Sequence, residues 1–399
     1  MTRLALAVAV LTLLQERKEP LEITHVELKA RRERVLEKLK DGALVLDAGP
    51  LSKSPGADAN TPIFDFKYLT NYHEDDGVLI LVPKRAFLFV ADTKVAKERS
   101  GCSDVLPRGQ FEAVARQILP GFRKIYTKLR QANLDAVKAA APKAQVQGQA
   151  LGAELRRMRM VKSPLELRLM RKAADATNRA HLAALGAVKA GVNEGEIQKL
   201  VESTFTKEGC DELSFPSIVG SGKNGTILHY MENKEPMAAG TLVVCDIGAS
   251  IHNYVTDITR TLPVSGKFSA EQRAAYQCVL DAQKAAERLL KPGVTMGQMH
   301  QAAAKMFEER KLTDWSYAHS KDGSVRHGLG HHVGMAVHDS DDGSRLEEGA
   351  VVTIEPGYYN KEKGWGIRIE DIYLVTKTGF ERMSTSPREV EEIEKGMGK

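Results

Sequence analysis

Four carboxylates that could bind metal ions lie within apolar segments of the sequence. Asp246 and Asp257 are eleven residues apart in two apolar runs, and Glu355 and Glu370 lie in two later runs at 351–357 and 366–375. Burying one unpaired carboxylate costs on the order of several kcal/mol, and Arg368 alone cannot neutralise four of them. The sequence therefore predicts that two divalent cations bind this cluster and activate water for hydrolysis.

The spacing of these residues predicts how strands would orient them. Residues two apart in a strand share a face, so Arg368 would project beside Glu370, and Asp246 beside the apolar residues that precede it. Pro356 ends the third run directly after Glu355. Taken alone, each aspartate is more often a turn former, and each glutamate could be half of a strand-end ion pair. The prediction therefore depends on the four acids together.

A glycine-rich stretch concentrates the histidines. Four of the chain's 11 histidines lie between residues 327 and 338, namely His327, His331, His332 and His338. Imidazole is a common metal ligand. The His327-x-x-x-His331 spacing suggests a zinc-protease helix, but glycine stands at position 328, where that motif requires a catalytic Glu. Further glycines at 330 and 334 disfavour a helix. His229 stands apart, and its context suits a core histidine as well as a catalytic one.

Two further motifs are excluded by single residues. Residues 220–225 resemble a phosphate-binding loop, but Asn224 replaces the required Ser or Thr and the leading glycine is missing. Ser221 does not form a nucleophile elbow, because Val219 occupies the leading glycine position of that motif. The sequence therefore predicts neither a nucleotide site nor a serine nucleophile.

The composition is typical of a globular enzyme rather than a nucleic-acid-binding protein. Lys and Arg total 57 against 52 Asp and Glu, a net charge of +5, and no basic block is interleaved with aromatic residues. The four cysteines are far apart and form no Cys-x-x-Cys pair, which excludes a disulfide framework and a zinc knuckle. A chain of 399 residues is too long for one ordinary core, and its length suggests two or three domains.

The first residues allow two interpretations. Residues 4–14 form an apolar run behind Arg3 that has the length of a signal-peptide core and is too short to span a bilayer. The basic region is thin and no small-x-small cleavage pattern follows Leu14, so an N-terminal arm docked on the protein is the alternative. A cleaved signal implies a periplasmic or secreted protein, and an arm implies a cytoplasmic one. Neither interpretation includes stable membrane insertion.

Strand and helix patterns alternate in the first part of the chain. Helical patterns at 26–39, 111–119 and 134–141 and strand patterns at 43–46, 78–82 and 87–90 predict an α/β domain. A helix start follows, with Ser163 as N-cap, Pro164 at the first position and Glu166 completing a capping box, and this helix is expected to end near Lys189. We expect a signal or arm at 1–20, an α/β domain at 21–158 and a catalytic domain at 159–399.

The ligand order Asp, Asp, His, Glu, Glu resembles that of the pita-bread metallopeptidases of family M24, whose branches include methionyl aminopeptidase, prolidase and aminopeptidase P. The resemblance extends from about Ile23 onward and is closest to aminopeptidase P. It is carried by residues 218–225, 228–230, 257–268, 327–339, 353–357 and 368–371. It implies an α/β (α+β) chain with an N-terminal α/β domain followed by a pita-bread catalytic domain.

The family pattern implies a role for each candidate ligand. Asp257 and Glu370 would bridge two metal ions, Asp246 would complete one site, and His331 and Glu355 would complete the other. A hydroxide that bridges the ions would attack the scissile carbonyl. A ligand set rich in oxygen with one imidazole favours Mn²⁺, although Co²⁺, Fe²⁺ or Zn²⁺ would also fit.

The same pattern implies four catalytic residues. Glu355 would shuttle the proton of the attacking water. His229 and His338 resemble the histidines that bind substrate and stabilise the tetrahedral intermediate. Arg368 resembles the arginine that fixes the neighbouring acidic ligands.

The N-terminal domain indicates the branch of the family. Methionyl aminopeptidases generally lack it, whereas aminopeptidase P and prolidase carry one. Segment 65–70 is similar to an aminopeptidase P segment that helps to build the active-site cleft, often across a subunit interface, although Lys67 replaces a common aromatic residue. The resemblance therefore implies a homodimer or homotetramer that removes the N-terminal residue from peptides with proline at the second position.

Two alternatives to this activity stay open. Xaa-Pro dipeptidase activity is the first, because the pair His331-His332 is closer to some prolidases. A non-hydrolytic relative that acts as a binding module is the second, and it fits less well because all five ligand positions are occupied.

Overall fold

We describe a computed structural model of the chain, which covers residues 21–40, 42–49, 62–72, 76–319, 321 and 323–398. Both interpretations of residues 1–20 concern residues outside these ranges. None of the helices in the described ranges combines the length and the apolar character that a bilayer crossing needs.

The N-terminal part of the chain contains a six-stranded sheet. Its strands are β1 (Gly42–Asp47), β2 (Val78–Val82), β3 (Arg85–Val90), β4 (Asp104–Pro107), β5 (Lys124–Lys128) and β6 (Gln145–Gln147). Their spatial order is β4-β3-β2-β1-β5-β6. β1 is parallel to β5 and antiparallel to β2, so the sheet is mixed.

Helices cover both faces of this sheet. They are α1 (His25–Lys38), α2 (Pro62–Thr70), α3 (Thr93–Ser100), α4 (Phe111–Ile118), α5 (Gln131–Ala140) and α6 (Gln149–Met160). Successive side chains of β1 point to opposite faces of the sheet and pack in two apolar clusters. Val45 packs in one cluster with Phe111 and Val137, and Leu44 packs in the other with Leu28. The predicted strands and helices of this part are all present, with bounds shifted by a few residues.

The C-terminal part begins with two long helices. α7 (Pro164–Ala187) starts at the predicted capping box, in which the Ser163 hydroxyl accepts from Glu166 N and the Glu166 carboxylate accepts from Ser163 N. It is followed by α8 (Glu194–Lys207). The apolar cluster that contains Leu44 also includes Met170 and Val351, so the two parts share buried contacts. The domain boundary at 158/159 stays a prediction.

The strands of the C-terminal part form small antiparallel sheets. Their strands are β7 (Glu212–Leu213), β8 (Ile218–Ser221), β9 (Leu242–Ile247), β10 (Ala249–Ile251), β11 (Tyr254–Val255), β12 (Ile258–Pro263), β13 (Val351–Ile354), β14 (Gly357–Asn360), β15 (Trp365–Arg368), β16 (Asp371–Val375) and β17 (Phe380–Arg382). They pair in the orders β11-β10-β7, β12-β9-β8, β13-β16-β17 and β14-β15.

The remaining α-helices of the described residues are α9 (Ala270–Glu287), α10 (Met296–Glu309) and α11 (Val390–Met397). One apolar cluster joins α7 to α10 with strands β9 and β12 to β15. This packing fixes the strands whose ends carry the predicted metal ligands.

Candidate metal centre and substrate cavity

Neighbouring strands bring Asp246 and Glu370 together. Asp246 in β9 pairs with Thr259 in β12, and Thr259 forms an isolated bridge with Glu370, which directly precedes β16. The Thr259 hydroxyl donates a hydrogen bond of 2.7 Å to Glu370 Oε2. Because paired residues in adjacent strands lie about 5 Å apart, the two carboxylates flank Thr259.

Asp257 adds a third buried carboxylate from the residue before β12. Asp246, Asp257 and Glu370 are 7%, 6% and 1% exposed. Asp246 Oδ1, Asp257 Oδ1 and Glu370 Oε1 are buried and accept no hydrogen bond from any described residue. Buried polar atoms in folded proteins are almost always paired. Three orphaned anionic oxygens in one place therefore indicate a site for cations.

The histidine-rich segment runs alongside β13 and brings His331 to Glu355. Thr353 N donates to the His331 carbonyl oxygen at 2.9 Å, and Glu355 N donates to that of Leu329 at 2.8 Å. No described residue between 324 and 341 is helical, as the glycines predict. Gly330 permits the close approach, because a Cβ at this position would collide with the Thr353 backbone carbonyl.

His331 presents its Nε2 nitrogen to the acids. Its Nδ1 lies 3.1 Å from the His332 carbonyl oxygen, which can only accept, so Nδ1 carries a proton and donates it there. Nε2 then lies 3.3 Å from Glu355 Oε1 and 3.5 Å from Asp257 Oδ2. One ligand atom from each of Asp257, His331 and Glu370 lies within 4.8 Å of the others. Burial opposes protonation of His331, but hydrogen bonding to Glu355 and the charge of that carboxylate raise its pKa, so Nε2 attracts positive charge, either a proton or a metal ion. The mixed set of imidazole and carboxylate donors fits a divalent metal ion.

Burial and mutual repulsion shift the pKa values of the acids. Burial raises the pKa of Asp257 well above its ordinary value, and the charge of Asp246 raises it further. Burial and then the charge of Asp257 also raise the pKa of Glu370 well above its ordinary value. Burial opposes ionisation of Glu355 as well, but hydrogen bonding to His331 and the charge of that ring lower its pKa to about 2. The cluster cannot carry its full negative charge without added positive charge.

Arg368 in β15 orients Asp246. Its Nη2 donates to Asp246 Oδ2 at 2.6 Å and to the Leu228 carbonyl oxygen at 3.3 Å, while Nη1 donates to the Tyr359 hydroxyl at 3.2 Å. The guanidinium therefore occupies one oxygen of Asp246 and leaves Oδ1 available to a metal ion.

All of the predicted ligands and catalytic residues line one cavity of about 470 Å³. His229 and His338 are exposed to it, and the His338 ring centre lies 4.1 Å from that of His331. Apolar side chains form the rest of the wall, among them those of Phe215, Pro216, Leu228, Met231 and Val337. The cavity can therefore hold a short peptide against the acids.

His327 and Tyr359 belong to the site, although the sequence did not reveal their roles. His327 Nδ1 lies 2.8 Å from the Gly328 carbonyl oxygen and therefore donates, so Nε2 accepts from the Tyr359 hydroxyl at 2.8 Å. That hydroxyl accepts in turn from Arg368. The only local signal for His327 was its place in the histidine-rich segment, and Tyr359 had none.

The segment that resembles a phosphate loop has a structural role. Glu194, at the start of α8, accepts from Ser221 N at 2.6 Å, from Ser221 Oγ at 2.7 Å and from Asn224 Nδ2 at 3.1 Å. The Tyr230 hydroxyl donates to the same carboxylate at 3.0 Å. Glu194 therefore fixes both ends of the segment that carries His229.

Segment 65–70 lies away from the cavity of its own chain. Lys67 Nζ is 3.4 Å from Asn253 Oδ1, and the described residues that line the cavity begin at Phe215. The residue that departs from the aminopeptidase P pattern therefore does not contact the metal centre of the same chain.

Comparison with known proteins identifies the family. The sequence profile of metallopeptidase family M24 matches residues 168–377. Xaa-Pro aminopeptidase of Escherichia coli strain K12 is 30% identical and covers 93% of this chain and 98% of its own length. The structure of Pseudomonas aeruginosa aminopeptidase PepP matches with a TM-score of 0.82 at 28% identity, over 95% of this chain and 99% of that chain.

Zinc-substituted E. coli aminopeptidase P in complex with product also matches, with a TM-score of 0.82 at 27% identity, over 94% of this chain and 99% of that chain. These likenesses confirm the predicted fold, in which an N-terminal domain precedes a pita-bread domain. The chain belongs to metallopeptidase family M24.

Proposed function

We propose that this chain is a metal-dependent aminopeptidase that removes the N-terminal residue from peptides with proline at the second position. The proposal depends on the orphaned anionic oxygens of Asp246, Asp257 and Glu370, which face the His331 imidazole in a peptide-sized cavity. Similarity to an Xaa-Pro aminopeptidase over nearly the whole chain supports the preference for proline.

Five side chains would hold two divalent ions. Asp257 and Glu370 would bridge them, Asp246 would complete one site, and His331 and Glu355 would complete the other. We propose Mn²⁺, because the ligands are oxygens with a single imidazole. Ions bound there would lower the pKa of the attacking water and polarise the scissile carbonyl.

The chain's own residues would move the proton and stabilise the developing charge. Glu355 accepts the proton from the attacking water and passes it to the leaving proline nitrogen. His229 and His338 donate hydrogen bonds to the carbonyl oxygen as negative charge develops on it. Arg368 keeps Asp246 oriented through its bond of 2.6 Å.

The test uses purified full-length protein that is treated with chelator and then reconstituted with Mn²⁺. The substrates are Ala-Pro-Ala and the dipeptide Ala-Pro, and Ala-Ala-Ala is the control. We expect alanine to be released from Ala-Pro-Ala only after reconstitution, and much more slowly from the control. Cleavage of the dipeptide alone would identify a dipeptidase instead, and full activity after chelation would overturn the metal dependence.

We further propose that the chain forms a homodimer or homotetramer. Segment 65–70 resembles one that reaches the active-site cleft across a subunit interface, and in this chain it lies outside the cavity of its own subunit. Light scattering on the purified protein tests the proposal, and a monomer at micromolar concentration would contradict it.

A further inference from the structure

A second arginine lines the substrate cavity without an acidic partner. Arg326 precedes His327 and is half-buried in the cavity wall. Its Nε is buried and unpaired, and its guanidinium forms no hydrogen bond or ion pair with a described residue. Arg368 differs, because its guanidinium is bonded to Asp246 and Tyr359. The charge of Arg326 is therefore available to a ligand in the cavity.

Aromatic rings hold this guanidinium in place. Its central carbon lies 5.7 Å from the ring centre of Trp315 and 5.8 Å from that of Tyr359. The Arg326 backbone N–H donates to the Tyr317 carbonyl oxygen at 2.9 Å, which fixes the start of the side chain. Cation–π contacts restrict the guanidinium but leave its charge uncompensated. A restricted, planar guanidinium is suited to bind a carboxylate through two hydrogen bonds.

The other charged side chains that line the cavity already have partners or face the metal centre. Glu355 faces His331, Asp246 is bonded to Arg368, and the remaining acids converge on the metal centre. Arg326 is thus the group that complements a negative charge on the bound peptide. We propose that Arg326 binds a carboxylate of the peptide substrate. The enzyme then prefers short Xaa-Pro peptides with a free C-terminal carboxylate, or with an acidic residue after proline. The inference rests on the proposed function and names a substrate class for the same site.

The experiment compares acids with neutral analogues on the Mn²⁺-loaded full chain. One pair is Ala-Pro-Ala and Ala-Pro-Ala-amide, which tests the terminal carboxylate. The other pair is Ala-Pro-Glu-amide and Ala-Pro-Gln-amide, which tests a side-chain carboxylate. In at least one pair we expect the wild type to favour the acid by roughly 10- to 100-fold in kcat/KM, chiefly through KM.

Substitutions at position 326 test whether Arg326 causes the preference for the acid substrate. R326M is expected to reduce the acid-to-neutral ratio to about one, and R326K to keep part of it because it keeps the charge. K321M is the control, because Lys321 lies in the same loop but is exposed and paired with Glu362 outside the cavity. K321M is expected to keep the wild-type ratio.

The possible outcomes separate the inference from the proposed function. A preference in either pair that R326M abolishes supports the inference, and the pair concerned identifies the source of the carboxylate. If the wild type shows an acid-to-neutral ratio of kcat/KM near one in both pairs, the inference is overturned even when every Xaa-Pro peptide is cleaved. This result needs only the wild-type protein, so it does not depend on whether R326M folds. An unchanged ratio in R326M also overturns it. Failure to cleave any Xaa-Pro peptide would overturn the proposed function itself.

Discussion

Asp257 lies buried beside Asp246 and Glu355, and without cations their charges repel one another. D257N removes one charge and keeps the shape of the side chain. We expect the chelated variant to be more stable than the chelated wild type by about 1–3 kcal/mol. We also expect metal affinity and peptidase activity to fall by at least about 100-fold. Urea unfolding in chelator and metal analysis after reconstitution measure the two effects.

Asp371 supplies the matched control for this prediction. It is also buried and is one residue from Glu370, but it is paired with Arg260 and with Arg388, the latter at 2.9 Å. D371N therefore removes a charge that is already compensated and should destabilise the chelated protein. Equal destabilisation by D257N and D371N would show that repulsion within the metal centre is not significant.

His181 in α7 makes stability depend on pH. Its Nε2 donates to the Ile258 carbonyl oxygen at 2.9 Å, and its buried Nδ1 has no hydrogen-bond partner among the described residues. Burial and then the charge of Arg260 lower its pKa to about 3. Between pH 6.5 and 3 the unfolded chain binds a proton here and the folded chain does not. The contribution of His181 is complete above pH 6.5 and is lost as pH falls, at up to about 1.4 kcal/mol per pH unit.

H181Q should flatten this acid dependence. Urea unfolding at pH 7.5, 5.5 and 4.5 gives the slope for the variant and for the wild type. H25Q changes a histidine at an exposed position and serves as the control. If H181Q and the wild type lost stability in parallel as pH falls, another group would be responsible.

At the scale of elements, Glu194 connects α8 to the segment that carries His229. E194A removes an acceptor from Ser221, Asn224 and Tyr230 at once. We expect a loss of about 2–4 kcal/mol in the free energy of unfolding and a rise in KM, because the His229 segment loses its anchor.

E196A is the control for E194A. Glu196 lies in the same turn of α8 but only completes the capping box of that helix. We expect it to cost about 1 kcal/mol with KM unchanged. An E194A protein whose KM matched that of the wild type would show that Glu194 supports the fold without positioning His229.

Features of the site that depend on one element could be predicted from the sequence, whereas contacts between distant elements could not. Asp246, Asp257 and Glu370 were predictable as candidate ligands because each acid lies within or directly before an apolar strand, and that signal is local. The bond between Arg159 and Asp339 joins residues 180 positions apart, and the bond between Glu194 and Asn224 joins residues 30 apart. Neither pair has a local pattern, because only the folded chain brings the partners together.

At the scale of the whole molecule, Arg159 links the N-terminal part of the chain to the loop that carries His338 and Asp339. Its buried guanidinium donates to Asp65 Oδ1 in α2 at 2.9 Å and to Asp339. The Asp339 carboxylate accepts from Met335 N at 3.0 Å and from Ser340 N at 2.7 Å. Asp339 therefore fixes the loop that presents His338 to the cavity, and Arg159 fixes Asp339.

R159M should weaken this link. In this variant Asp65 still pairs with Lys128 at 2.7 Å. Among the described residues, the nearest remaining cation to Asp339 is Lys162, at 4.0 Å, so the buried Asp339 carboxylate loses most of its charge compensation. We expect the free energy of unfolding to fall by about 3 kcal/mol. Because His338 is adjacent to Asp339, we also expect kcat on Ala-Pro-Ala to fall about 10-fold, with a smaller change in KM.

R157M is the control, because it alters an exposed arginine two residues earlier, 3.6 Å from Asp342. It should change the free energy of unfolding by less than about 0.5 kcal/mol. Urea unfolding and steady-state kinetics on both variants provide the test. If R159M loses stability but keeps the wild-type kcat, the N-terminal part supports the fold without positioning His338.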